Sequence, residues 1–105
     1  EEKYTETNDS EVFKPLEVKN LMAIKEIVQS SLYQGKILLI PEKHEAKEFS
    51  VQLAPKSQNI LKWFQKNELT AMVCTSLRSK DFHVNDGHPN KNGYEKIKRC
   101  VDGLK

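Results

Sequence analysis

The chain has 105 residues, with 17 Lys and Arg against 15 Asp and Glu and a formal charge of +2. That length fits one small domain burying about two-thirds of its unfolded surface, and the near balance of interspersed charges gives no footprint for nucleic acid or a membrane surface. Apolar residues make up 37% and charged residues 30%, a globular rather than disordered composition, and no apolar run approaches the roughly 18 residues that span a bilayer.

Residues 1–12, rich in Glu, Thr, Asn and Asp, are expected to form a flexible polar tail, not a signal peptide, ahead of a single α/β domain over residues 13–105. Pro15 opens a segment in which Leu21, Ile24, Val28 and Leu32 recur at steps of three and four, backed by Ile27. The spacing predicts a helix with Gly35 as its C-cap. Ile37-Leu38-Leu39-Ile40, stopped by Pro41, is a continuous apolar run and predicts a strand buried on both faces. Phe49, Val51 and Leu53 alternate with polar residues, but the charges before them favour a loop. Pro55 starts a second helix with Ile60, Leu61 and Phe64 as its stripe and Trp63 beside it. Both aromatics read as core, with a sugar-stacking platform as the alternative. Ala71-Met72-Val73-Cys74 predicts a second buried strand, residues 76–88 a polar loop, and a third helix begins near Asn90 with Tyr94, Ile97, Val101 and Leu104 on its face. Its lysines and arginine read as a solvated outer face that also suits the helix dipole.

The order helix, strand, helix, strand, helix is an α/β layout with a small, mainly parallel sheet of two to three strands and about three helices. Cys74 and Cys100 lie in apolar segments without metal-ligand spacing. They read as buried thiols, a disulfide being the alternative in an oxidising compartment.

The chemistry concentrates in Asn85-Asp86-Gly87-His88-Pro89-Asn90, continuing to Gly93-Tyr94. A carboxylate two residues before a histidine can orient the imidazole and stabilise its cation. Taken alone, the pair also fits a solvated surface turn. Two imidazoles and a carboxylate in His83, Asp86 and His88 offer a competing zinc reading. A calcium loop fails, because a loop begun at Asp86 has Lys91 at its sixth position and one begun at His88 has Arg99 at its twelfth. His44, just past the first strand, is either an exposed loop residue or a substrate contact in the same cleft as His88.

The wider pattern Asp-Gly-His-Pro-Asn-x-x-Gly-Tyr, followed by an amphipathic helix, resembles the last signature block of the SGNH (GDSL-type) hydrolases and acyltransferases. The unit from Asn20 through Gly35-Lys36 to Ile37-Leu38-Leu39-Ile40-Pro41-Glu42-Lys43 is similar to the helix and strand that precede that block. Its Ile-Pro-Glu-Lys end resembles the O-acetyltransferase branch acting on exopolysaccharides. The resemblance spans roughly residues 16–105 and implies a partial three-layer α/β/α, flavodoxin-like fold. It makes His88 the general base and Asp86 its orienting acid. The commonest family form has two residues between acid and histidine; here only Gly87 intervenes, and the position three before His88 is Asn85.

The family's nucleophile is a serine in a Gly-Asp-Ser segment, and none of the seven serines here adjoins a glycine. The resemblance therefore implies the C-terminal segment of a serine esterase or O-acetyltransferase, inactive alone, with its serine expected upstream. It implies an acyl ester or acetylated carbohydrate as substrate and no cofactor, and leans towards a secreted or envelope protein; no metal is expected, because the loop of His83 and His88 lacks a strand or helix to fix such ligands. Alternatives are a non-catalytic interaction or scaffold domain, or a split half-domain completed by an N-terminal segment, another chain or a twin. No nucleic-acid partner and no membrane span are expected.

Overall fold

The computed structural model describes residues 12–30 and 35–104. The predicted tail, apart from Val12, lies outside them, as does Leu32. The chain divides into two compact units, Glu1–Lys36 and Ile37–Lys105.

The first unit contributes helix α1 (Pro15–Val28). Pro15 begins it because a proline needs no amide partner in the first turn and its φ is already helical. The Glu17 carboxylate accepts the Lys14 backbone N–H at 2.8 Å. The helix stops at Val28, short of the end predicted before Gly35. Gly35 still satisfies a helix carbonyl: its N–H donates to Val28 O at 2.8 Å. Its φ of 71° lies in the left-handed region that glycine occupies without Cβ strain. Of the predicted face, Leu21 is buried, whereas Ile24 and Ile27 are exposed.

The second unit contains β1 (Lys36–Leu39, beginning at the boundary), α2 (Pro55–Lys66), β2 (Thr70–Val73) and α3 (Lys91–Asp102). The strands pair in parallel, so the described residues form a small α/β fold with three helices and a two-stranded sheet. The strands are not buried on both faces as expected. β1 is half-buried, β2 alternates exposed and half-buried residues, and Met72 is exposed. In a two-stranded sheet both strands are edges, and so narrow a sheet cannot enclose them.

The core lies just past the strand ends instead. Ala46, Cys74, Leu77 and Phe82 form it, with Leu38, Ile97 and Cys100 packed around them. α2 packs on β2 and buries Trp63 and Phe64, whose rings meet edge to face at 5.4 Å. Burial leaves neither ring open for sugar stacking, which removes that alternative. A Schellman motif closes α2, with Leu69 N–H bonded to Phe64 O and Glu68 N–H to Gln65 O, both at 3.1 Å. Its left-handed residue is Glu68, φ 67°.

α3 is rotated by about one residue from its predicted face. Gly93 is buried and Ile97 and Cys100 pack on the core, while Tyr94 and Val101 are exposed. Two constraints set this register. A Cβ on Gly93 would lie 2.3 Å from Asp81 O, so the helix approaches the preceding loop more closely than any larger residue allows. Cys100 is bonded to Cys74, with Cα atoms 5.7 Å apart. The two cysteines are thus a disulfide, not the free thiols expected. Closing a loop over a separation of 26 residues stabilises the fold by about 3–4 kcal/mol through the unfolded chain.

Candidate functional site

Two loops build the site, one leaving β1 over residues 40–54 and one leaving β2 over residues 74–90. Both depart from the carboxyl ends of neighbouring parallel strands, where open α/β sheets hold ligands. In the first, buried Pro41 follows the strand and cannot donate to the ladder. Glu45, 1% exposed, then ties the loop together. Its two oxygens accept the N–H groups of Glu42 and Ala54, each at 2.8 Å. Burial pushes the Glu45 carboxyl up, but hydrogen bonds from the Ser57 side chain and these two amides outweigh it, and the net shift is downward. A single antiparallel bridge between Ala46 and Val51 reverses the chain, with Phe49 exposed between them.

In the second loop Asp81, also 1% exposed, accepts the Arg78 N–H at 2.8 Å and the Lys96 ammonium of α3 at 2.7 Å. Burial raises its pKa, the bonds from Lys96 and Arg78 lower it, and the result is a carboxyl held below its ordinary value. Asn90 joins this loop to α3. Its N–H donates to Asp81 O, its side-chain amide to Lys80 O, and its Oδ1 caps the helix by accepting the Gly93 N–H. Within the sequence block from Asp86 to Tyr94, Asn90 and Gly93 thus have structural duties.

The side chains of the preceding Asp86 and His88 are exposed. Between the loops runs an open groove of about 890 Å³, lined by Lys43, His44, Lys47, Ser79, Gly87 and His88 among others. Asp86 and His88 meet at its edge. Asp86 Oδ1 accepts the His88 backbone N–H at 2.8 Å and lies 3.4 Å from Nδ1 of the same imidazole. The side chains are 55% and 78% exposed, so the ion pair is loose and wet. The Asp86 carboxyl is held below its ordinary value, chiefly by the His88 N–H and then by the nearby imidazoles of His88 and His83. Gly87 is not demanded by the fold: a Cβ there would meet nothing within 4 Å.

A second pair of the same spacing faces the groove. His44 Nδ1 lies 3.5 Å from Glu42 Oε1, both exposed, and both residues line the groove with His88. The sequence carries this signal openly, since Glu42-x-His44 repeats the Asp86-x-His88 interval. Ser79 also lines the groove, with no hydrogen bond to His88 among the described residues. In sequence Lys43 reads only as part of a strand end, yet its ammonium reaches the carbonyls of His83, Val84 and Asp86. Among the described residues no three His, Cys, Asp or Glu side chains form a group that could hold a metal, so the zinc reading of His83, Asp86 and His88 finds no ligand set.

The geometry can orient an imidazole at a solvent-open groove and stabilise its cation; among the described residues no hydroxyl is bonded to that imidazole. No described helix is long and apolar enough to cross a membrane. Compared with known proteins, the chain matches no family model, no curated protein and no solved structure.

Proposed function

We propose that this chain carries the acid–base half of an SGNH-like serine esterase or O-acetyltransferase site, with His88 as general base and Asp86 as its orienting acid. The observation that carries the reading is the Asp86–His88 contact at the edge of a groove beyond the strand ends. It is supported by the division of labour in the block, where Asn90 and Gly93 build the fold while Gly87 and His88 line the groove and the Asp86 side chain stays exposed beside them. The long imidazole contact agrees with an unliganded site, in which catalytic hydrogen bonds tighten only with substrate.

In this mechanism a serine supplied from outside these residues attacks the acyl carbonyl while His88 takes its proton. The imidazolium returns that proton to the departing alcohol, leaving an acyl-serine. Water or an acceptor hydroxyl then repeats the sequence in reverse, and Asp86 stabilises the cation at both stages. The substrate class is an acyl ester or an acetylated carbohydrate.

The test is hydrolysis of 4-nitrophenyl acetate. The 105 residues alone should react no faster than free imidazole. The same chain joined to the Gly-Asp-Ser segment of its own reading frame should turn over, and His88→Ala should lower kcat by roughly 10⁴ or more. Activity of the isolated chain that disappears with His88→Ala overturns the reading, and so does a reading frame without such a serine. The exposure of both pair members favours a second reading, a groove that binds acetylated carbohydrate without acting on it. Binding that survives His88→Ala with no turnover in either form would select it.

A further inference from the structure

The loop bearing Asp86 and His88 is exposed from His83 to His88, and its internal bonds are local. His83 N–H donates to His88 O at 3.0 Å and His88 N–H to Asp86 Oδ1 at 2.8 Å. A loop tip held only by its own turns is expected to fray. Lys43, about forty residues earlier and anchored by the first loop, reaches across to it. Its ammonium donates to His83 O at 2.6 Å, Val84 O at 2.9 Å and Asp86 O at 3.3 Å. A lysine has three N–H donors, and here three backbone carbonyls of one short turn converge on them. Charge-assisted bonds of this kind are about twice as strong as neutral ones.

We propose that Lys43 is a positioning residue that fixes the turn His83–Asp86 and so sets where the Asp86–His88 pair stands at the groove. Its relevance to catalysis rests on the function proposed above; the clasp itself does not. Lys43 spans the groove between the loops and acts through backbone carbonyls, so the identities of His83 and Val84 are free while the path of their backbone is not. This also explains why a lysine serves where arginine would not. A planar guanidinium sends its donors outward in one plane, whereas an ammonium directs three donors as a tripod onto carbonyls that curl around it.

Amide hydrogen exchange and side-chain NMR on the complete chain test this without any enzymatic assay, so its failure is distinguishable from failure of the esterase reading. In Lys43→Met the His83 and His88 amides should exchange about tenfold faster or more, the scale of a lost charge-assisted bond, while amides of α2 and α3 keep their rates. The Asp86 carboxyl should titrate higher as its bond from the His88 N–H loosens. Lys43→Arg, which keeps the charge and loses the tripod, should show the faster exchange too. Unchanged exchange in Lys43→Met overturns the proposal. So does uniform acceleration across α2 and α3, which would make Lys43 a general stabiliser, and so does full rescue by arginine, which would reduce its part to charge.

Discussion

The loops after β1 and β2 share a pattern: each has a buried carboxylate that accepts a backbone N–H and an exposed carboxylate two residues before a histidine. They differ in what holds them. The first closes on itself, because Glu45 binds amides at both ends of its own loop, three and nine residues away. The second is held largely from elsewhere, by Lys96 of α3, by the disulfide from Cys74 to Cys100 and by Lys43 of the first loop. The difference assigns roles to four carboxylates that look alike in sequence. Glu45 and Asp81 are enclosed and fully bonded, so they serve the fold; Glu42 and Asp86 face water and imidazoles, so they are available for chemistry.

Breaking an external tie should therefore cost most. Cys100→Ala or reduction should lower unfolding free energy by about 3–4 kcal/mol, read from urea midpoints. If the second loop depends on it as described, the groove-side amides of residues 76–88 should lose protection along with α3. Asp81→Ala comes next, at about 3 kcal/mol, since it leaves Lys96 half-buried without its anion and Arg78 N–H without an acceptor.

The self-contained loop should show a smaller, more local loss. Glu45→Ala should cost about 2 kcal/mol, because two part-buried N–H groups lose their acceptor. The acid side separates the loops further. Both carboxyls are lowered in the folded state, so each contributes stability that is complete above its ordinary value and is lost as pH falls through the folded value. For Glu45 the ordinary value is 4.5 and for Asp81 it is 3.8. Stability should thus begin to fall below about pH 4.5 through Glu45 and only later through Asp81. Glu45→Gln should remove the onset of the fall in urea midpoint just below pH 4.5; an onset unchanged by that substitution would remove the distinction.

How much of this was legible depends on how local each determinant is. Pro15, Pro55 and Asn90 start their helices within a residue or two of where proline and capping chemistry put them, and the apolar runs mark both strands. The Asp86–His88 contact was also legible, being two residues long. What the sequence hid depends on distant partners. Glu45 and Asp81 read as loop charges because nothing nearby shows that the chain folds around them. The face of α3 is set by a disulfide and by the approach of Gly93 to Asp81, not by its apolar period. Lys43 finds its carbonyls about forty residues away.

The smallest expected effect bears most directly on the site. Gly93 and Gly87 stand six residues apart in one block, and only Gly93 has a steric reason to be glycine. Gly87 has no left-handed backbone to relieve, since Gly35 is the described glycine with positive φ, and a methyl group there would enter open space. Gly87→Ala should therefore change stability by less than about 0.5 kcal/mol, as at an ordinary surface position. Its methyl would project beside His88 on the groove wall, in the way of the substrate proposed above. If Gly87 is glycine for the sake of a ligand, turnover or binding must suffer while the melting curve stays put. If the melting curve moves instead, the glycine belongs to the fold, and the separation of the block into a structural half and a chemical half fails.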